Sequence, residues 1–144
     1  MMRPNRPVRA DYATFRQMQT RWMDNDIYGH MNNVVHYSLF DSAVNGWLID
    51  QGLLDPAAST SYGLVVETGC KYHSQLRFPQ TVEAGLRISH IGTSSVRFEI
   101  GLFVAQSDLA AANGFFIHVY VDRASQRPVP IDGHRRSCFA TLLL

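Results

Sequence analysis

Residues 34–52 read VVHYSLFDSAVNGWLIDQG, and this stretch decides the fold. Val34, Tyr37, Phe40, Val44, Trp47 and Leu48 recur at the three-and-four spacing of one helical face, so the spacing predicts a helix from about Val34 to Gln51. Asn32 or Asn33 offers an N-cap oxygen, and Gly52 stands where a helix stops. Gly46 costs about 1 kcal/mol relative to alanine inside a helix. With Ser38 and Ser42 it makes a stripe of small residues four apart, which we read as the side where a sheet packs very close. The helix is apolar over more than half its surface, so the sheet should curl around it.

Outward from the helix the period changes to two. Before it, Phe15 to Trp22 alternates as a strand with one buried face. After it comes a loop holding Pro56 and Ser59-Thr60-Ser61, and then strands dominate. Cys70, Tyr72, Ser74, Leu76 and Phe78 form one alternating run, and Val82, Ala84, Leu86 and Ile88 another. Val96 to Val104 is the cleanest, and Phe115, Ile117, Val119 and Val121 make the last. Turns are expected at Phe78-Pro79-Gln80, Ile91-Gly92-Thr93 and Ala112-Asn113-Gly114. One strand, one long helix, then four or five antiparallel strands gives an α+β, two-layer domain. Residues 1–14, with Pro4, Pro7 and Arg3, Arg6 and Arg9, read as a flexible lead-in, and 15–144 as a single domain.

Composition narrows the function classes. A length of 144 residues suits one domain with one core. Hydrophobic residues at 46% and charged residues at 17% describe a globular chain rather than a disordered one. The net charge is +1 and Lys71 is the only lysine, so there is no polybasic run to hold nucleic acid or a membrane surface. The two cysteines, Cys70 and Cys138, cannot make the disulfide framework of a small secreted domain. No apolar run follows the first arginines as in a signal peptide, and none approaches the ~20 residues of a membrane span. The expectation is a soluble protein of a reducing cytoplasm. Six histidines include no His-x-x-x-His pair, so no metal site is expected.

The chemistry concentrates in Arg21 to Tyr37, RWMDNDIYGHMNNVVHY. Carboxylates end a strand, a glycine follows, and a helix begins. A helix N-terminus presents free backbone N–H groups and partial positive charge, which is what a carbonyl oxygen needs while it becomes an oxyanion. A carboxylate just before that terminus can attack the carbonyl or activate water. Gly29 would let backbone and substrate approach closely. On residue type alone, an aspartate before a helix is more often a cap.

The stretch resembles the signature of the 4-hydroxybenzoyl-CoA thioesterase family of hotdog-fold proteins, D-x-D-x-x-G-H-x-N-N-x-x-x-Y. Asp24, Asp26, Gly29, His30, Asn32, Asn33 and Tyr37 carry it here. YHSQLRFPQTVE, residues 72–83, is similar to the family's central segment, and FIHVYVDRASQRPVP, residues 116–130, to its last strand and exit. The resemblance implies an antiparallel sheet of five to six strands wrapped round one long helix, two subunits pairing their sheets, and active sites at the interface. It implies acyl-CoA thioester hydrolysis with Asp26 as general base or nucleophile, and a backbone N–H near Asn33 as oxyanion donor. Tyr28, Gly29, His30, Asn32, Tyr37 and Glu67 are the implied substrate contacts, Glu67 reaching the neighbouring subunit's pocket. No cofactor is implied beyond the coenzyme A of the substrate, and the assembly would be a homodimer or homotetramer. Some members carry Tyr or His where this chain has Asn33, which keeps a backbone donor but removes a proton-transferring side chain.

Several residues have plainer readings: His30 as a structural helix-entry residue, Tyr37 as part of the core, and Glu67 as a solvated strand-end glutamate. Asp24 ends the strand and binds local N–H groups, His73 and Lys71 lie on an outward strand face, and Cys138 is inert. Two rival functions stay open: an acyl-CoA hydratase or dehydratase of the same fold, which would pair Asp26 with His30, and a non-catalytic acyl-CoA binder.

Overall fold

The computed structural model describes residues 6–144; residues 1–5, which hold Arg3 and Pro4 of the expected lead-in, lie outside the described residues. Strand β1 (Thr14–Gln19) precedes helix α1 (Val35–Asp50). Strands β2 (Ser61–Tyr72), β3 (Thr81–Ile91), β4 (Ser95–Val104) and β5 (Ala112–Asp122) follow, and helix α2 (Gly133–Ala140) closes the chain. One antiparallel sheet has the order β1-β3-β4-β5-β2, and α1 lies against β1, β3, β4 and β5. This is the hotdog arrangement of a sheet round one long helix.

The core lies between helix and sheet. Phe40, Val44 and Leu48 meet Val82, Ala84, Leu86 and Ile88 of β3 and Val96, Phe98, Ile100 and Leu102 of β4, as the period-two pattern requires. The helix buries most of the face its spacing suggested, Phe40, Val44 and Leu48 with Tyr37 and Trp47 packed at the margin, and adds His36, Leu39 and Ala43 to it. Val34 precedes the helix and is 63% exposed. Ser38 and Ser42 are exposed, so no sheet packs on the small-residue stripe. Gly46 faces only the Arg16 guanidinium, whose central carbon would stand 2.6 Å from an added Cβ.

Four strand expectations are corrected. β1 pairs only with β3 and is mostly exposed, so it has no fully buried face. β2 begins at Ser61 and ends at Tyr72; its register shift between Val65 and Glu67 breaks the alternation by which Leu64 to Val66 would have been read as strand. Residues 73–77, read as a continuation, form a loop in which Leu76 is buried in the core and its carbonyl accepts from Met31 N–H, while the expected turn at Phe78-Pro79-Gln80 is present. Asn113 and Gly114 lie inside β5 rather than in a turn. An added Cβ at Gly114 would meet the Gly69 carbonyl oxygen and come 2.5 Å from the Phe40 ring, so the glycine serves close packing. The chain reverses instead at residues 105–111, where Gln106 takes a φ of 69°. The inward side of β5 carries Phe116, His118 and Tyr120, while Phe115, Ile117 and Val119 sit half-buried on the other side.

α2 had no expectation. Asp132 caps it through a 2.8 Å bond from Arg135 N–H, and Phe139 closes the core against Phe98 and Trp47. Residues 6–14 are tied down. Arg6 Nε donates to the Ala110 carbonyl at 2.7 Å, and Tyr12 packs with Phe103 and Ala110 on the sheet's outer side. No described helix is long and apolar enough to cross a membrane.

Candidate active site

The turn between β1 and α1 is held by main-chain bonds at both ends. Asp26 N–H donates to the His30 carbonyl at 2.7 Å, and Gly29 N–H donates back to the Asp26 carbonyl at 3.1 Å. Gly29 has a φ of 79°, which a residue with a side chain adopts only under strain. The Asp26 side chain pins the same turn: its Oδ1 accepts from Tyr28 N–H at 2.8 Å and His30 N–H at 3.3 Å. Its other oxygen, Oδ2, has no hydrogen-bond partner among the described residues.

Two further contacts fix the turn against the rest of the chain. Met31 N–H donates to the Leu76 carbonyl at 2.6 Å, and Phe78 N–H donates to Asn25 Oδ1 at 3.0 Å. Asp24 lies 2% exposed, accepting from Arg21 N–H at 2.8 Å and pairing with its guanidinium at 2.9 Å. It binds a local N–H group, as its plainer reading had it, but lies in a short 3-10 turn (Trp22–Asp24) past β1 rather than at the strand's end.

α1 begins at Val35 rather than Val34. Asn32 Oδ1 accepts from Val34 N–H at 3.2 Å, so this side chain caps the approach to the helix rather than the helix itself. The Asn33 N–H has no acceptor among the described residues, and Asn33 lies just before the N-cap of α1, near the helix's positive end.

A cavity of about 730 Å³ opens here, lined by Asp26, Tyr28, His30, Met31, Asn33 and His36 on one side and by Tyr72, His73, Ser74 and Gln75 on the other. Of the expected site residues, the structure therefore gathers Asp26, Tyr28, His30 and Asn33, with Gly29 and Asn32 shaping the turn between them. Tyr37 does not line this cavity; it is half-buried and meets Phe40 edge-on in the core. Glu67 sits exposed on β2, away from this cavity of its own chain.

Tyr72, His36 and His73 were missed as site residues. The Tyr72 hydroxyl donates to the Asn33 carbonyl at 2.7 Å, holding the chain segment that leads into α1. Loss of solvation raises the Tyr72 phenol to about 12, so it stays a donor. His36 is 4% exposed and meets the Tyr72 ring edge-on at 4.7 Å. Burial lowers its pKa, against the pull of the Asn33 and Asn32 carbonyls, which favour the cation without closing a well-shaped bond on Nδ1. His73 lines the cavity with Nε2 2.6 Å from Asn113 Oδ1, rather than lying on an open strand face. The sequence offered no signal for these pairings, because Tyr72 and Asn33 meet only when β2 folds back beside the helix start.

Both cysteines are free thiols, and no cluster of three or more metal-ligating side chains occurs among the described residues.

Comparison with known proteins agrees with this architecture. No curated protein sequence matches the chain. The PA5185 protein of Pseudomonas aeruginosa strain PAO1 is 47% identical, covers 96% of this chain and 97% of its own, and superposes with a TM-score of 0.93. The PA2801 protein of Pseudomonas aeruginosa is 25% identical over 88% of this chain and 98% of its own, with a TM-score of 0.80. Slr0204 of Synechocystis, a 1,4-dihydroxy-2-naphthoyl-CoA thioesterase, shares the fold at 13% identity, covering 88% of this chain and 94% of its own with a TM-score of 0.80. The family model for the Thioesterase-like superfamily matches residues 20–137, from the end of β1 into α2. That span takes in the Asp26 turn, the start of α1 and both walls of the cavity, and the chain belongs to the Thioesterase-like superfamily.

Proposed function

We propose that this protein is an acyl-CoA thioesterase whose chemistry is carried by Asp26 and the Asn33 N–H. The observation behind the proposal is that Asp26, whose carboxylate keeps one uncommitted oxygen, and Asn33, whose N–H is unpaired just before a helix, both line one cavity. In the general-base route Asp26 takes a proton from water, and the hydroxide adds to the thioester carbonyl carbon. The negative oxygen accepts from the Asn33 N–H, favoured by the α1 dipole. The C–S bond then breaks, the carbonyl re-forms, and the thiolate recovers the proton from Asp26. In the nucleophilic route Asp26 attacks the carbonyl carbon, the C–S bond breaks and the coenzyme A thiolate leaves. Water then hydrolyses the acyl–Asp26 anhydride to the free acid and Asp26, and the proton released goes to the thiolate. A thioester is already activated, so neither route needs a metal or redox group.

Tyr28 and His30 flank the carboxylate and contact the substrate, and Tyr72 positions the Asn33 segment. The hydratase reading wants an imidazole on the acid. Asp26 instead meets the backbone N–H groups of Tyr28 and His30, which favours hydrolysis. We further propose a pair of subunits joined along β2, an edge strand with Leu64, Val65 and Val66 exposed at 38%, 48% and 59%. Glu67, on that strand, would then approach the partner's cavity. Two free thiols fit a reducing cytoplasm.

The test is thiol release from a panel of acyl-CoAs by wild type and Asp26→Asn. Both recorded bonds to Asp26 use Oδ1, so the amide oxygen can keep them while the variant can neither attack nor accept a proton. The expected result is a fall in kcat of at least about 10²-fold with the fold intact. Unchanged turnover in Asp26→Asn would reduce Asp26 to a turn-forming residue and overturn the proposal.

A further inference from the structure

A second cavity, of about 670 Å³, lies on the outer side of the sheet, where Arg87, Glu99 and Phe115 stand opposite one another across β3, β4 and β5. It shares no lining residue with the Asp26 cavity. Four cationic side chains, Arg6, Lys71, Arg87 and Arg97, line it against two carboxylates, Asp11 and Glu99. That is an excess of two positive charges in a chain whose net charge is +1. The four cations are far apart in sequence, so no basic run announces the cluster and only the pairing of the strands assembles it.

Both oxygens of Glu99 are committed. Oε1 accepts from Arg87 Nε and Nη2 at 3.2 and 2.7 Å, and Oε2 accepts from Arg97 Nε at 3.1 Å. Asp11 Oδ2 accepts from Val8 N–H at 2.9 Å, which leaves Oδ1 without a partner. The cations keep far more in hand. Arg87 Nη1, Arg6 Nη1, both terminal nitrogens of Arg97 and the Lys71 ammonium have no hydrogen-bond partner among the described residues. None of those arginine nitrogens is closed to solvent. The Tyr12 hydroxyl and the Asn113 amide nitrogen, also unpartnered, add neutral donors. The guanidinium groups are held before any ligand arrives: Arg97 lies 3.8 Å over the Phe115 ring, and Arg6 donates to the Ala110 carbonyl and Ser74 Oγ at 2.7 and 3.0 Å.

We propose that this groove binds the diphosphate unit of a small phosphorylated molecule, with Arg97, Arg87 and Lys71 as its partners. Donors on three different strands approach from several directions, which suits the tetrahedral oxygens of phosphates better than one planar carboxylate. The charge excess matches such a dianion, and the volume lies in the range of small-ligand sites. Two sources carry the unit: a free nucleoside diphosphate, and the coenzyme A arm of the proposed substrate. The groove meets the Asp26 cavity along two bonded pairs, Arg6 with Ser74 and Asn113 with His73, where Ser74 and His73 line the Asp26 cavity. An acyl-CoA lying across that ridge has its thioester at Asp26 and its phosphates in the groove. Binding of the diphosphate itself does not depend on the thioesterase reading.

The experiment is calorimetric titration of the full-length protein at low salt, for wild type, Lys71→Gln and Arg97→Gln. The ligands are ADP, adenosine as the body without phosphates, and succinate as a dianion without them. ADP should bind saturably, succinate more weakly and adenosine not at all. Each substitution should weaken ADP about tenfold, as expected for one lost charge-assisted bond, and about 0.5 M salt should weaken it too. Lys71 is exposed and without a partner, so Lys71→Gln keeps the fold and decides alone if Arg97→Gln does not fold. Coenzyme A separates the sources. Tighter binding than ADP, weakened by Lys71→Gln, assigns the groove to the substrate's own phosphates, whereas ADP binding as tightly or more tightly assigns it to a free nucleotide. No saturable ADP binding at millimolar concentration would overturn the proposal, whether or not the protein turns over a thioester. So would ADP affinity unchanged in both variants, or succinate binding as tightly as ADP.

Discussion

Acidification should unfold this protein through His118, and the size of the effect follows from its burial. The imidazole has an ordinary pKa of 6.5 in the unfolded chain and about 4 in the fold, because burial penalises the cation. Below pH 6.5 the unfolded chain therefore binds a proton that the folded one refuses. Stability is complete above that value and is lost as the pH falls toward 4. At about 1.4 kcal/mol per pH unit, the gap from 6.5 to about 4 comes to roughly 3 kcal/mol, a large share of a small domain's stability. Urea unfolding at about pH 7 and about pH 4.5, for wild type and His118→Phe, reads the difference directly. His36 is lowered in the same direction but is present in both proteins, so it cancels in the comparison. Wild type should lose roughly 2 kcal/mol more than the variant between these two pH values, because the lower one stops short of the folded-state pKa of about 4. Parallel losses, or a His118 imidazole titrating near 6.5 by NMR, would refute the reasoning.

Other outcomes follow from single contacts. Tyr72→Phe removes the donor to the Asn33 carbonyl and should lower kcat several-fold, with a stability loss of about 1 kcal/mol, read by steady-state kinetics and thermal unfolding. Gly114→Ala forces a methyl against the Gly69 carbonyl and the Phe40 ring, and should destabilise by about 1–3 kcal/mol in urea. Gly46→Ala displaces only the flexible end of Arg16, whose pairing with Asp50 is exposed. The gain in helix propensity should leave its midpoint equal to or above wild type. Asp24→Ala strips the partner from Arg21 and its N–H, and should cost about 1–3 kcal/mol by the same measurement.

The sequence alone determined the sheet-and-helix class, because period two in residues 82–104 and the three-and-four spacing in 34–48 each report a repeating backbone geometry. It also determined the Asp26 turn, since Asp, Gly and Asn at fixed offsets specify local backbone bonds that need no distant partner. Tertiary structure decided whatever depends on two remote segments meeting. Asn113-Gly114 has the local chemistry of a turn, yet Gly69 and Phe40, remote in sequence, make the glycine a packing residue within a strand. Leu64 to Val66 lost the strand pattern to a bulge set by pairing with β5. Phe115 and Phe116 suit either side of β5 equally, and only the position of α1 and α2 sends Phe116, His118 and Tyr120 inward. For the same reason Tyr72 and His36 entered the Asp26 cavity unannounced, and the unpaired His118 imidazole became visible only once Gly63 was laid against it.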